Sequence, residues 1–341
     1  MEKILVLTHV DESGAELTRA SLEAVAAGVE MAEALSASLA IGVVGAQGAS
    51  AAQQLGGIKA RVLTVSGEEF SCARYASDTA ACEALVKAAE ATLVFAPASS
   101  RFARVMPGVA YRLGGFVETH ITALAKGDGL EATRWFYRQR IEAVVKRETR
   151  PWFLLLEAGT RAAFVGSGAV PEVETMAVTL PALRTKVIGV RAPKQDEQTI
   201  RPDAKILFVA GAGWTKKQAD GQVHSAEAET LILGFLKAAD ASLGSSKSLV
   251  DQSGENQTVL KFMTHMNQIG QTGATPRHPK GLSTCCHGEE PHVVGWRFIN
   301  ERRAISLDPN CGWARGKADV LYVADAFGVM AKVNALLTAG K

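Results

Sequence analysis

The chain has 341 residues, of which 47% are hydrophobic and 21% charged, and its formal net charge is +2. This composition describes a globular protein long enough for two ordinary domains and excludes a disordered chain. Near-balanced charge removes the electrostatic footprint of a nucleic-acid or anionic-membrane binder, and no apolar run reaches the roughly 20 residues of a membrane span.

The alternation of elements starts at once. Residues 3–8 form an apolar, β-rich run, which leaves no room for a secretory or transit signal. The expected location is the bacterial cytoplasm, or the mitochondrial matrix for a mature eukaryotic chain. A helix is expected over 17–35, where apolar and small residues recur at helical spacing, followed by a strand at 39–44. A short helix near 50–55, strands at 61–65 and 92–97 and a helix at 79–91 continue the rhythm. Ser99, Ser100, Arg101 and Arg104 then stand before a helix expected over 105–113. Two readings fit them, an anion site and a serine-capped helix with surface arginines.

Strands are expected at 119–124, 134–138, 141–146, 152–157 and 162–165, the later ones short and hairpin-like. Trp135, Phe136, Tyr137, Trp152 and Phe153 belong to core or interface, because no basic interleaving accompanies them. Residues 171–189 read as strand, turn, strand. The stretch 192–203 is polar, charged and holds two prolines, which marks a linker between a domain at 1–191 and one at 204–341.

The second domain restarts with a strand at 204–210, a loop holding Gly211 and Gly213, and a helix at 226–239. Further strand ends fall at 304–309 and 320–325, with a closing helix at 329–338. The fold class is therefore α/β, two domains that are each a mostly parallel sheet with helices on both faces. In such sheets ligands gather at the carboxyl ends of strands. Gly211, Ser306, Asp308 and Asp325 end strands in the second domain, either as turn residues or as the rim of one crevice.

Five cysteines (Cys72, Cys82, Cys285, Cys286, Cys311) show no paired thiolate spacing, so no metal site is expected and reduced thiols are. The stretch from Gln268 to His292 carries the densest chemistry. Gly270, Gly273, Gly281 and Gly288 let backbone approach a ligand, and Gln271 and Thr272 add side-chain donors and acceptors.

Six motifs of the second domain follow in order: Val209-Ala-Gly-Ala-Gly213, Ser246-Lys247, Gly270-Gln-Thr-Gly-Ala274, Cys286-His-Gly-Glu-Glu-Pro-His292, Ala304-Ile-Ser-Leu-Asp-Pro309 and Tyr322-Val-Ala-Asp-Ala-Phe-Gly328. With 97–113 and 175–190 in the first domain, they resemble the α subunit of electron-transfer flavoproteins over essentially the whole chain.

The resemblance implies a Rossmann-like second domain that binds one FAD, while a β subunit carries AMP or a second FAD. Thr272 then matches the hydroxyl near flavin N5, with Gln271, Gly270 and Gly273 in the same loop. His292 matches the histidine at the N1–C2=O edge, and Gly288 belongs to the segment near the pyrophosphate. Ser246 precedes Lys247, which stands where the family has arginine over the flavin. Ser306 replaces an asparagine, and Asp308 and Asp325 fall around the adenosine half. Gly211 and Gly213 keep the glycine loop, but its arginine is absent, with Trp214, Lys216 and Lys217 nearby as substitutes.

The implied role is that of a heterodimeric electron carrier rather than a substrate-converting enzyme. It takes electrons from flavin dehydrogenases of the acyl-CoA type and delivers them to a quinone-reducing oxidoreductase. Two alternatives stay open, a subunit of an electron-bifurcating NADH-oxidising flavoprotein or acyl-CoA reductase complex, and a structural subunit without flavin.

Overall fold

The computed structural model describes residues 1–11, 13–137, 141–189, 200–201, 204–251, 260–270, 275–276, 278–284, 299–310, 314–315 and 318–339. The chain divides into two compact units, Met1–Val190 and Arg191–Lys341.

The first unit is built on strands β1 (Lys3–His9), β2 (Ser38–Gly45), β3 (Arg61–Ser66), β4 (Leu93–Pro97), β5 (Phe116–Gly127), β6 (Gly129–Phe136), β7 (Ile141–Val145), β8 (Trp152–Leu156) and β9 (Val173–Thr175). They make one sheet in the order β7-β6-β5-β8-β4-β1-β2-β3-β9. Pairing is parallel from β5 to β9 and antiparallel at β5–β6 and β6–β7.

Strand β1 explains why both faces are covered. Ile4 and Val6 point to one core with Val25 and Met31 of helix α1 (Arg19–Leu35). Leu5 and Leu7 point to the other with Leu85 of α3 (Tyr75–Ala88) and Phe102 and Met106 of α4 (Ser100–Arg112). A run of consecutive apolar residues is the signature of a strand buried on both sides. The short helix α2 (Gly48–Ala51) runs into a 3₁₀ turn, Ala52–Leu55.

Two helices begin earlier than their apolar periodicity suggests. Helix α3 starts at Tyr75 because Asp78 accepts the Arg74 amide at 3.1 Å. Helix α4 starts at Ser100, capped by Ser99, whose hydroxyl accepts the Phe102 amide at 3.4 Å. Residues 162–165 are not a strand, and within 171–189 strand structure is confined to β9. Beyond it, Met176, Val178 and Leu180 lie against the α3–α4 core.

The second unit carries β10 (Ile206–Ala210), β11 (Ser242–Ser245), β12 (His278–Thr284), β13 (Ile299–Ser306) and β14 (Val320–Val323). All pair in parallel, in the order β11-β10-β12-β13-β14. This is a doubly wound order with its reversal between β10 and β12. Helices α5 (Ser225–Ala239) and α7 (Ala326–Ala339) cover one face through Ile232, Phe235 and Met330. On the other, Leu207 and Val209 meet Ile269, Ala304 and Ala314, the last in a helical turn. Helix α6 (Lys247–Asp251) leaves the end of β11.

The glycine-rich stretch is therefore not one loop, because β12 runs through it. Pro279 is tolerated near the start of this central strand, since pairing with β10 begins at Lys280. Gly281 serves packing rather than a ligand. A Cβ built there would lie 2.5 Å from Ile299.

A closer approach joins α1 to β1, where a Cβ on Gly28 would meet Val6 Cγ2 at 2.3 Å. Alanine gains about 1 kcal/mol of helix propensity over glycine, but forced overpacking costs about 1–3 kcal/mol. Gly28→Ala is expected to destabilise by about 1 kcal/mol net, and Gly28→Leu to lose cooperative unfolding, as urea denaturation would record.

Candidate functional site

Each doubly wound sheet offers a crevice where its strand order reverses. In the first unit that point lies between β1 and β4, and the chain's own side chains bridge it. His9, the last residue of β1, places Nε2 2.9 Å from Ser99 Oγ beyond β4, and Nδ1 2.9 Å from the Val10 carbonyl. Its ring packs edge-on to Phe102 at 5.2 Å. The matching tautomer has Nδ1–H donating to Val10 and Nε2 accepting the Ser99 proton. Burial lowers the imidazole pKa, against the pull of the Val10 carbonyl.

Arg101 is not available to an anion. It is buried, 2.6 Å from Asp78 Oδ1, and also donates to the Phe70 carbonyl at 2.9 Å. Of the two readings of this helix entrance, the Ser99 cap holds, but of its two expected surface arginines only Arg104 is exposed, Arg101 being buried.

The second unit is arranged differently. Because its strands are parallel, the loops after β10, β11, β13 and β14 all leave from one edge, and backbone bonds tie them together. The Gly211 amide donates to Thr284 at the end of β12, and the Ser246 amide to Ala210 at the end of β10, both at 2.9 Å. The Ile269 amide reaches the Ser245 carbonyl at 3.1 Å, which brings Gly270 beside β11. Gly270 itself adopts φ +76°, a conformation glycine takes without strain.

Gly211, Gly213, Ser246, Lys247 and Gly270 are thus gathered around the ends of β10 and β11. Ser306 and Asp325 lie at the ends of β13 and β14 and line a shallow, open depression with Gln218 and Ala324. Asp308 is not part of that lining. It is exposed and accepts the Asn310 amide at 2.8 Å in a local turn. Gln271, Thr272, Gly273, Gly288 and His292, together with Cys285 and Cys286, lie outside the described residues.

The donor set at the β11 end suits an anion. Ser246 is 3% exposed and its Oγ accepts the Leu249 amide at 3.2 Å, leaving a hydroxyl proton without an acceptor among the described residues. Ser245 Oγ, buried at the same strand end, has no hydrogen-bond partner there. Buried hydroxyls are normally satisfied, so the Ser245 Oγ at this strand end stands out among the described residues. Lys247 is half-exposed, with Nζ 3.7 Å from Asp251, too far for a hydrogen bond. Asp325 Oδ2 accepts the Gly328 amide at 2.8 Å and caps α7.

Trp214 does not replace the missing arginine. It is fully buried, donates Nε1–H to Thr284 Oγ1 at 2.8 Å and packs 4.6 Å from Phe327. Gln218 escaped the sequence reading. Its amide donates to the Gly213 carbonyl at 3.0 Å and the Lys216 carbonyl at 2.7 Å, so it links the glycine loop to the Ser306–Asp325 depression. A lone glutamine after Lys217 carries no motif that would have revealed this.

No helix among the described residues is long and apolar enough to cross a membrane. A family model described as the electron transfer flavoprotein domain matches residues 6–181, 176 of the 341, all within the first unit. No curated protein matches the chain significantly.

The neutral His9 ring makes stability depend on pH. Its lowered folded pKa means the unfolded chain takes up the proton first, so this contribution is complete above about 6.5 and is lost as pH falls toward the folded value. His9→Asn is expected to flatten that slope. Urea unfolding at about pH 7.5 and about pH 5.5 would show wild type and variant converging at the lower pH.

Proposed function

The chain belongs to the electron transfer flavoprotein family, and on that footing we propose that it is the α subunit of a heterodimeric carrier, with one FAD at the carboxyl edge of β10–β14. The observation that carries this reading is the gathering of Gly211, Gly213, Ser246, Lys247, Gly270, Ser306 and Asp325 along one edge of a doubly wound sheet. FAD, when bound, supplies electron-transfer chemistry that no side chain here offers.

The chain's own residues hold and tune. Gly211 and Gly213 admit close backbone approach, and Ser246 donates its free proton to an anionic oxygen. Gln218, Ser306 and Asp325 present polar groups where the adenosine half would lie. Asp308 keeps that assignment by motif alone. So do Gln271, Thr272, Gly273 and His292 toward the flavin ring and Gly288 toward the pyrophosphate. The proposed donors are flavin dehydrogenases of the acyl-CoA type and the acceptor a quinone-reducing oxidoreductase, with AMP or a second FAD in the β subunit.

Lys247 sets the sign of the electrostatics. A cation at roughly 5 Å in an effective dielectric near 20 favours an added electron by about 3 kcal/mol, or roughly 0.1 V. Half-exposure and the Asp251 carboxylate reduce this.

A visible spectrum of the purified two-chain protein tests the proposal. One FAD for each copy of this chain supports it, and the absence of flavin would sink it. Ser246→Ala is expected to weaken FAD retention about 5–10-fold. Lys247→Ala is expected to lower the flavin potential by roughly 50 mV in redox titration.

A further inference from the structure

Helix α6 leaves the end of β11 with an acid that two basic side chains share. Asp251 Oδ2 lies 3.7 Å from Lys247 Nζ, one helical turn back, and Oδ1 lies 3.7 Å from His265 Nδ1. Both separations exceed hydrogen-bond length, so charge decides how strongly each partner is held. All three side chains reach water, at 52% for Lys247, 39% for Asp251 and 56% for His265.

The fold itself brings His265 to this acid. It opens a 3₁₀ turn, His265–Asn267, closed by a capping box. The Asn267 side chain accepts the Thr264 amide at 3.0 Å, and Thr264 Oγ1 accepts the Met266 amide at 3.2 Å. Asn267 is fully buried, and two residues on the Ile269 amide binds the Ser245 carbonyl. The segment that carries His265 therefore runs directly into Gly270 beside β11. The turn packs on α6, which adds Lys247, and on β11, Ser242–Ser245, which carries no ionisable side chain. Glu229 of α5 accepts the Lys261 amide at 3.0 Å and forms no ion pair with His265 among the described residues. Helix α6 also packs on the turn Ala212–Thr215, again without ionisable side chains, which Lys216 follows.

Histidine is the side chain that changes charge between about pH 5 and 8. A neutral imidazole leaves Asp251 to Lys247, and the carboxylate partly cancels the ammonium. A protonated imidazole competes for the same carboxylate, and the weakly held Lys247 turns away readily. We propose that Asp251 passes between Lys247 and His265 with pH, so that acid frees the Lys247 charge for an anion at the end of β11. The proposal rests on the FAD reading above, in which the flavin is that anion's carrier.

The test is a redox titration of the purified flavin-loaded protein at about pH 5.5 and about pH 8, with variants compared at equal pH and potential. At the lower pH, His265→Gln is expected to leave the flavin about 3-fold less reduced than wild type, the scale of an exposed ion pair. At the higher pH it is expected to match wild type. Asp251→Asn is expected to be about 3-fold more reduced than wild type at the higher pH. In that background, adding His265→Gln is expected to change nothing at either pH, because the shared acid is gone. A full-sized gap retained there would mean that the imidazole acts through its own field, and would overturn the proposal. Identical titrations of wild type and His265→Gln with FAD bound would overturn it too and spare the FAD reading. A protein that binds no FAD removes that reading and the proposal with it.

Discussion

In the second sheet every strand hydrogen-bonds its neighbours in the same direction, from Leu207 against Ser242 at one side to Ser306 against Val323 at the other. Parallel pairing forces each connection to return to the starting edge, so every strand empties at the opposite one. Residues far apart in sequence, such as Ser246 and Asp325, therefore share a rim without touching. The reversal of strand order between β10 and β12 leaves a gap between diverging connections there. Backbone bonds from Gly211 to Thr284 and from Ser246 to Ala210 hold its floor. The placement of polar groups along this edge follows from that ladder and from little else.

The same topology in the first unit has the opposite outcome, and buried charge explains why. Arg101 holds Asp78 in the interior, and Asp78 also takes the Arg74 amide, so one carboxylate fixes the starts of α3 and α4. Removing one partner from such a pair costs about 3–5 kcal/mol, because the other is left charged and dry. With α4 fixed, Ser99 stands where His9 can reach it across the crevice. The first unit gives its switch point to self-contact, while the second keeps backbone glycines at its own, beside a Ser245 hydroxyl that has no partner among the described residues.

Strand positions were legible because buried parallel strands are apolar on both faces, as residues 3–8 and 206–210 show. Helix starts were less so. The early turns of α3 and α4 have little apolar periodicity, and their amides are satisfied by Asp78 and Ser99 instead. Glycine was ambiguous in a physical sense. Gly270 has a left-handed φ, whereas Gly281 is small because Ile299 lies against it, and sequence records both alike. Trp214 looked like a possible ligand group in a glycine loop, yet its indole completes a core around Phe327. Gln218 was invisible because its role depends on two carbonyls that only the folded turn brings within reach.

Lys247 shows how a weak bond leaves room for function. An ammonium 3.7 Å from Asp251 and half in water adds little to stability, since exposed pairs are worth about 0–1 kcal/mol. The fold therefore does not dictate where that side chain points. Toward a partly desolvated anion at the same strand end, the same charge is worth several times more, because the effective dielectric falls. A cation tethered loosely by an i,i+4 acid is thus cheap to turn. Arg134 and Arg147, which both pair with Glu118 in the first unit, are the converse case. Their carboxylate is buried and their planes are set by Phe116 and Phe136, so the fold itself fixes where they point.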